Sequence, residues 1–398
     1  MRIALVTETF APEINGVAMT LGRITQGLLH KGHHLQIVRP SQGKTDISSQ
    51  LPAQQDIFVA GFPIPFYSTL RFGITSEKRL VDLWKQDRPD IVHVATEGPL
   101  GLSAINAARK LNLPITSSFH TNFQNYTNYY GIGFLKKLID IYLRWLHNRT
   151  MVTLVPTQSM IQKLQSQGYK NVSLFSRGVA IEMFSPVFRS SELRKSWGVS
   201  DQDLVVLHVG RLAKEKNINL VMASFRAIQS QHPNAKLVFV GDGPLRKSLQ
   251  ISCPDAIFSG MKIGKELAEH YASGDLFLFP SVTETFGNVI PEALASGLAV
   301  VAYDYAAAAQ LIINDSNGML VPFGDETCFV KTALSCVSNL DHLQAIRQNA
   351  SPSVSKLSWS CVCDRFFDTL NQVVEHHAQE QEKKKSRVRV KPVIQPSA

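Results

Sequence analysis

The sequence predicts an α/β protein built from two doubly wound, mainly parallel sheets. Its 398 residues exceed the roughly 250–300 at which a single core stops growing. Apolar runs of strand length alternate with stretches of helical period, the pattern of a parallel sheet wound with helices. That alternation stops at 183–191 (MFSPVFRSS), a segment marked by Pro and Ser, and then begins again. A hydrophobic content of 44%, with 24 Gly and 19 Pro, excludes collagen-like and disordered chains.

The first domain, 1–185, opens with the apolar run 2–7 (RIALVT), a loop holding Pro12, Asn15 and Gly16, and a helical stretch that reaches Lys31 and stops at Gly32. The strand 35–40 (LQIVRP) follows, then the strand 90–95 (DIVHVA), a helix over 100–111, the strand 115–120 (ITSSFH), a helical segment over 134–148 and the strand 153–157 (TLVPT). The second domain, 186–360, repeats the rhythm. Its strands are 204–210 (LVVLHVG), 236–241 (KLVFVG), 275–280 (DLFLFP) and 299–304 (AVVAYD), and its helices 217–231 and 288–296. A late helix over 361–378 carries Val362, Phe366, Phe367, Leu370 and Val373 at helical spacing and is expected to return to the first domain. Two such domains place ligands at the carboxyl ends of their strands, facing each other across a crevice.

Charge and cysteine content narrow the setting. Of the net +9, the tail 379–398 supplies +4, six cations opposing Glu380 and Glu382. This tail is expected to stay solvated and disordered, with an anionic membrane surface as its alternative partner. Five Cys form no metal-ligand spacing and no even disulfide set, which points to a reducing, cytoplasmic compartment. The opening MRIALVTETF lacks the charged and apolar regions of a signal peptide, and no eighteen consecutive residues are apolar, so no spanning helix is expected. The segment 134–148 mixes apolar residues with Lys and Arg; it either lies on the inner face of the cytoplasmic membrane or faces the core, and its wide apolar face favours the core. The basic balance also raises nucleic-acid binding, but no recognition module accompanies it. A nicotinamide oxidoreductase is disfavoured, because no G-x-G-x-x-G follows the first strand and LQIVRP does not end in an acid.

The residues suited to chemistry gather at the predicted carboxyl edge of the second sheet. Glu284 and Glu292 stand eight positions apart, about 12 Å along a helix, far enough to grip opposite ends of an elongated ligand. Between them Phe286, Gly287 and Asn288 lead into a helix whose free N–H groups suit a phosphate. Arg211 and Lys216 follow the strand 204–210 and could reach a diphosphate, Arg as a planar fork and Lys as a point charge. Gly241, Asp242 and Gly243 leave the next strand, where glycine permits close backbone approach. Asp201-Gln202-Asp203 has the form of a metal-binding DxD but precedes its strand, at the amino end of the sheet, so no metal is assigned to it.

Taken in order, Gly210-Arg211-Leu212 with Lys216, Gly241-Asp242-Gly243-Pro244, and Glu284 through Phe286-Gly287 to Glu292 resemble the retaining, nucleotide-sugar-dependent glycosyltransferases of family four, whose two-domain fold is called GT-B. The resemblance implies that Arg211 and Lys216 hold the donor diphosphate, that Glu284 binds sugar hydroxyls and that Glu292 binds the ribose. In the first half, Glu13-Ile14-Asn15-Gly16-Val17 matches the family's first loop, where Gly16 lets backbone N–H groups approach the phosphate or acceptor. His120 matches the active-site histidine, and Asn122 and Tyr126 fall on the acceptor side. Glu97, after the strand 90–95, either binds acceptor hydroxyls or caps the helix that follows.

Two departures mark a subgroup. Ala180 follows Ser176-Arg177-Gly178-Val179 where many relatives carry an acid, and Tyr303-Asp304-Tyr305-Ala306 replaces a glycine-rich loop. The tyrosine-alanine version looks like the subgroup with GDP-mannose-dependent mannosyltransferases and sulfolipid-forming enzymes. This resemblance implies a metal-independent hexosyltransferase with no cofactor, using a GDP- or UDP-sugar as co-substrate and a lipid or glycan hydroxyl as acceptor.

Overall fold

The computed structural model describes residues 1–13, 15–43, 46, 51–64, 67–119 and 136–389. The chain divides into two compact units, Met1–Phe175 with Val362–Ala398, and Ser176–Cys361.

Unit 1 contains β1 (Arg2–Val6), β2 (His34–Pro40), β3 (Gln54–Ile64), β4 (Tyr67–Ile74), β5 (Ile91–Val94), β6 (Ile115–Ser118), β7 (Val152–Val155) and β8 (Val172–Leu174). They form one sheet in the order β4-β3-β2-β1-β5-β6-β7-β8, parallel except for the β3/β4 hairpin. Ile3 registers with Leu35 on one side and Ile91 on the other. The strand order reverses at β1, so the loops leaving β1 and β5 part at their carboxyl ends, the place where open α/β sheets bind ligands. β1 and β5 are almost wholly apolar, apart from Arg2 at the start of β1 and the buried His93 in β5, because helices cover both faces of a parallel sheet. The helix Gly16–His30 follows β1, its free N–H groups capped by Asn15, whose side chain accepts from the Val17 and Ala18 amides. The β3/β4 hairpin and the helices Glu77–Gln86 and Gln158–Ser166 add elements that the apolar pattern does not announce.

The last helix runs from Trp359 to Arg389, so residues 379–389 are helical and not the disordered stretch expected of them. The sequence explains this: QEQEKKKSRVR holds neither Gly nor Pro, and most of it is strong helix former, whereas Pro392 lies beyond. Residues 390–398 lie outside the described residues. Within unit 1 this helix buries Val362, Phe366, Leu370 and Val373. Phe367 stacks on His33 at 4.3 Å and Phe366 meets the edge of His93 at 4.9 Å.

Unit 2 contains β9 (Val205–Val209), β10 (Lys236–Val240), β11 (Ile257–Gly260), β12 (Leu276–Phe279), β13 (Ala299–Tyr303) and β14 (Gly318–Val321), all parallel, in the order β11-β10-β9-β12-β13-β14. Alternate residues of β9 enter opposite core layers, Val205, Leu207 and Val209 on one side and Val206 on the other. The amino ends are fixed by Arg194, fully buried, which donates to Asp275 at 3.1 Å, while Asp275 accepts from the Val205 amide at 2.8 Å. Asp201 and Asp203 lie at this amino edge, accepting from Ser191 and Ser200. The order reverses at β9, so the loops after β9 and β12 diverge at the opposite, carboxyl edge.

Candidate active site

The loop leaving β9 carries Arg211 and Lys216, and the loop leaving β12 carries Glu284. In unit 2 they meet. Lys216 Nζ forms an ion pair with Glu284 Oε1, and Ser281 Oγ donates to the same oxygen at 2.7 Å. Tyr305 holds the loop from the other side, its hydroxyl donating to the Glu284 carbonyl at 2.7 Å. The two charged side chains are 17% and 15% exposed, and Lys216 Nζ lies 5.4 Å from the centroid of the Phe279 ring. Arg211 is exposed and paired with Glu215. Each cation thus already holds a carboxylate, and an incoming anion has to compete for both.

Gly241 and Gly243 have a different task from the one their spacing suggests. The close approach is to the protein's own chain: a Cβ on Gly241, which adopts φ +133°, would lie 2.0 Å from the Gly210 carbonyl oxygen, and one on Gly243 would lie 2.4 Å from that of Leu212. The Leu212 amide donates to the Asp242 carbonyl at 2.9 Å. The turn therefore buttresses the loop that presents Arg211. The Asp242 carboxylate accepts from the Gly243 amide and from Arg246, both at 2.7 Å.

Phe286 is buried and belongs to the core. Gly287 adopts φ +93°. The helix that follows, Val289–Ala295, has seven residues and no side-chain cap from Asn288, a shorter element than the 288–296 expected, with a correspondingly small dipole. Asn288 instead accepts from Arg177 at 3.3 Å. Glu292 is half-buried and accepts from the buried Tyr271 hydroxyl at 2.9 Å, and desolvation pushes its carboxyl up to about 7.

Ala306, the first residue of the short helix Ala306–Leu311 after β13, adopts φ +54°, a conformation costing an L-residue about 1–2 kcal/mol that glycine avoids. Its neighbour Ala307 donates to the Phe286 carbonyl at 2.8 Å, which holds the helix start in place. Ala306→Gly is expected to stabilise the protein by up to about 1 kcal/mol, after the added entropy of the unfolded glycine is subtracted. Urea unfolding of the full chain, followed by tryptophan fluorescence, checks this.

At the carboxyl edge of unit 1, Gly16 is the first residue of its helix, behind a network in which Asn15 donates to Thr9 at 2.7 Å and Thr9 donates to Glu13. Glu97 does not face outward. It is buried, 3.6 Å from His147 Nε2, which is itself held by Ser117 at 2.9 Å, and it does not cap the helix. Glu8 does the capping, accepting from the Leu100 amide at 3.1 Å. A Cβ on Gly98 would sit 1.9 Å from Glu8 Oε2, so any larger residue there has to displace the Glu8 carboxylate from the helix end. Burial pushes the Glu8 carboxyl up to about 7. His120, Asn122 and Tyr126 lie outside the described residues.

Comparison with known proteins decides what this arrangement belongs to. The Glycosyltransferase Family 4 model matches residues 14–183 and the model for group 1 glycosyl transferases matches 203–339. A GDP-mannose-dependent alpha-mannosyltransferase of Mycobacterium tuberculosis is 34% identical over 92% of this chain and 95% of its own. The chain belongs to glycosyltransferase family 4. A sulfoquinovosyl transferase of Arabidopsis thaliana is 30% identical over 90% of this chain and 71% of its own. Among solved structures, a sucrose-phosphate synthase from Thermosynechococcus elongatus superposes with a TM-score of 0.75 at 17% identity, covering 94% of this chain and 99% of that one. Anabaena HepE in complex with UDP gives 0.75 at 18% identity, covering 94% and 100%. The glycosyltransferase therefore has the GT-B fold, as its motifs imply.

In unit 2, Ser281, Glu215 and Tyr271 escape a sequence reading because they have no motif; in unit 1, Glu8 is signalled only by its place directly after an apolar strand. The raised carboxyls have a measurable consequence. Glu8 and Glu292, ordinarily near 4.5, hold their protons up to about 7 in the folded enzyme. The folded state thus binds more protons than the unfolded between those values, so stability falls as pH rises from about 4.5 to 7 and is level above. Each group contributes a slope of at most about 1.4 kcal/mol per pH unit. Melting temperatures across that window are expected to decline less steeply in Glu292→Gln than in the unaltered enzyme.

Proposed function

We propose that this enzyme transfers a mannosyl group from GDP-mannose to a hydroxyl of a glycolipid or envelope glycan, with retention of configuration and without a metal or other cofactor. The observation that carries this reading is the Lys216–Glu284–Ser281 cluster at the diverging carboxyl ends of β9 and β12. In this reading the donor diphosphate draws Lys216 and Arg211 away from Glu284 and Glu215. The two cations then neutralise the departing diphosphate, the task a metal performs elsewhere, and Glu284, once released, takes the sugar hydroxyls. Glu292 takes the ribose and His120 positions the transferred sugar. With the leaving phosphate stabilising an oxocarbenium-like transition state, the acceptor hydroxyl attacks from the face the diphosphate leaves.

The mannosyl donor is supported by three GDP-mannose-dependent alpha-mannosyltransferases at 34%, 32% and 31% identity. A lipid acceptor is supported by the helix Lys136–His147, which buries Leu143 and Leu146 yet exposes Leu138 (63%), Ile141 (45%) and Trp145 (46%) on a stripe that also carries the basic Arg144 and Lys137 nearby. Its wide apolar character comes from serving two faces, and the outer one suits an anionic bilayer surface. Among the described residues no helix is long and apolar enough to cross a membrane. A second reading, a UDP-sugar-dependent glucosyl or sulfoquinovosyl transfer, is supported by the Arabidopsis relative and by an alpha-monoglucosyldiacylglycerol synthase of Streptococcus pneumoniae at 28% identity.

A donor panel of GDP-mannose, UDP-glucose and UDP-sulfoquinovose, with diacylglycerol-based acceptors in vesicles and EDTA present, separates the readings. Transfer from GDP-mannose with an α-linked product is the expected result. Exclusive use of a UDP-sugar selects the second reading, and dependence on added divalent metal refutes the metal-free chemistry.

A further inference from the structure

Among the described residues, buried arginines come with an acid, with one exception. Arg39 lies 3.3 Å from Asp56, and Arg194 lies 3.1 Å from Asp275. Arg177 is only 7% exposed, yet it takes part in no ion pair among the described residues. Its one side-chain partner there is the neutral amide oxygen of Asn288, at 3.3 Å from Nη1, and its Nε is buried without a partner. Burial drags its pKa down to about 10 even against the upward pull of the nearby Glu284 charge. A guanidinium withdrawn from water with no carboxylate in contact is a costly arrangement that a bound anion would relieve.

Its surroundings say which anion. Asn288 follows Gly287 on the loop that carries Glu284, and Glu284 is the partner of Lys216. We infer that Arg177 is a third cation of the donor site, binding the phosphoryl oxygens of the nucleotide sugar's diphosphate together with Arg211 and Lys216. The inference rests on the donor-site reading given above. The planar fork of Arg177 makes paired, charge-assisted bonds to phosphate that Lys cannot reproduce.

Calorimetric titration of the full chain with inorganic pyrophosphate and with GDP tests this, alongside melting temperatures without ligand. Arg177→Met is expected to weaken pyrophosphate and GDP binding by about ten- to a hundredfold and Arg177→Lys by less. The unliganded melting temperature of Arg177→Met is expected to stay level or rise, since a lone buried charge has been replaced by an apolar side chain of similar length. A fall in that melting temperature, failure of Arg177→Met to fold, or unchanged pyrophosphate affinity in both variants overturns the inference, assigning Arg177 to the scaffold. Loss confined to donors with an acidic sugar, with pyrophosphate and GDP unaffected, also overturns it by moving the anion to the hexose. Lys216→Met separates the two levels: if it too leaves pyrophosphate binding intact, the donor-site reading has failed, whereas a loss there with none at Arg177 fells this inference alone.

Discussion

Glu284→Gln is expected to lower sugar transfer by about a hundred- to a thousandfold while leaving GDP binding intact or tightening it severalfold. The first effect follows from losing a charged acceptor that grips the sugar as charge develops, worth about 3–4 kcal/mol in the transition state. The second follows from the ion pair: Glu284 holds Lys216 in the free protein, so GDP must break that contact before using the ammonium. The neutral amide competes less. Ser281 still has an oxygen to donate to, and the Tyr305 bond to the main-chain carbonyl is untouched, so the loop keeps its place. Initial rates with saturating donor, together with GDP titration, give both numbers. Undiminished turnover would remove Glu284 from the mechanism.

Lys216→Met is expected to act oppositely on the nucleotide. Affinity for GDP falls by about ten- to a hundredfold, the value of one charge-assisted hydrogen bond, and kcat/KM falls further because the leaving diphosphate loses its compensating charge. Stability falls too. The Glu284 carboxylate, 15% exposed, keeps only Ser281 as a side-chain hydrogen-bond partner among the described residues, and stripping one member from a largely buried pair costs up to about 3 kcal/mol. Opposite signs for GDP binding in the two variants form a pattern that simple misfolding of the site does not produce. Lowered GDP affinity in both would mean that the pair acts as a rigid unit instead of an exchangeable one.

Most of the frame was legible because strands buried on both faces are mainly apolar, as β1, β5, β9, β12 and β13 are despite the buried His93 and His208. β3 and β4 were not, since an edge hairpin exposed on one side mixes polar and apolar residues: Gln54, Gln55 and Asp56 open β3, and Phe62 is exposed. Motif spacing brought Lys216 and Glu284 to one edge but could not show that they hold each other, because 68 residues separate them and only the β9/β12 pairing closes that distance. Glycines mislead for a related reason. A glycine records that something comes close, and at Gly241 the visitor is the Gly210 carbonyl. Glu97 and Glu8 both follow strands at the same edge, and which of them caps the next helix is set by His147, fifty residues downstream of Glu97, which keeps Glu97 turned inward.

Unit 2 is one uninterrupted stretch, 176–361, inserted into a unit 1 whose remaining piece comes only after it. During synthesis, then, the ribosome releases everything unit 2 needs while the surface around His33, His93 and Phe175 still waits for Phe366 and Phe367. The earlier-made half must be the last to finish, its apolar flank open to chaperones until the final helix arrives.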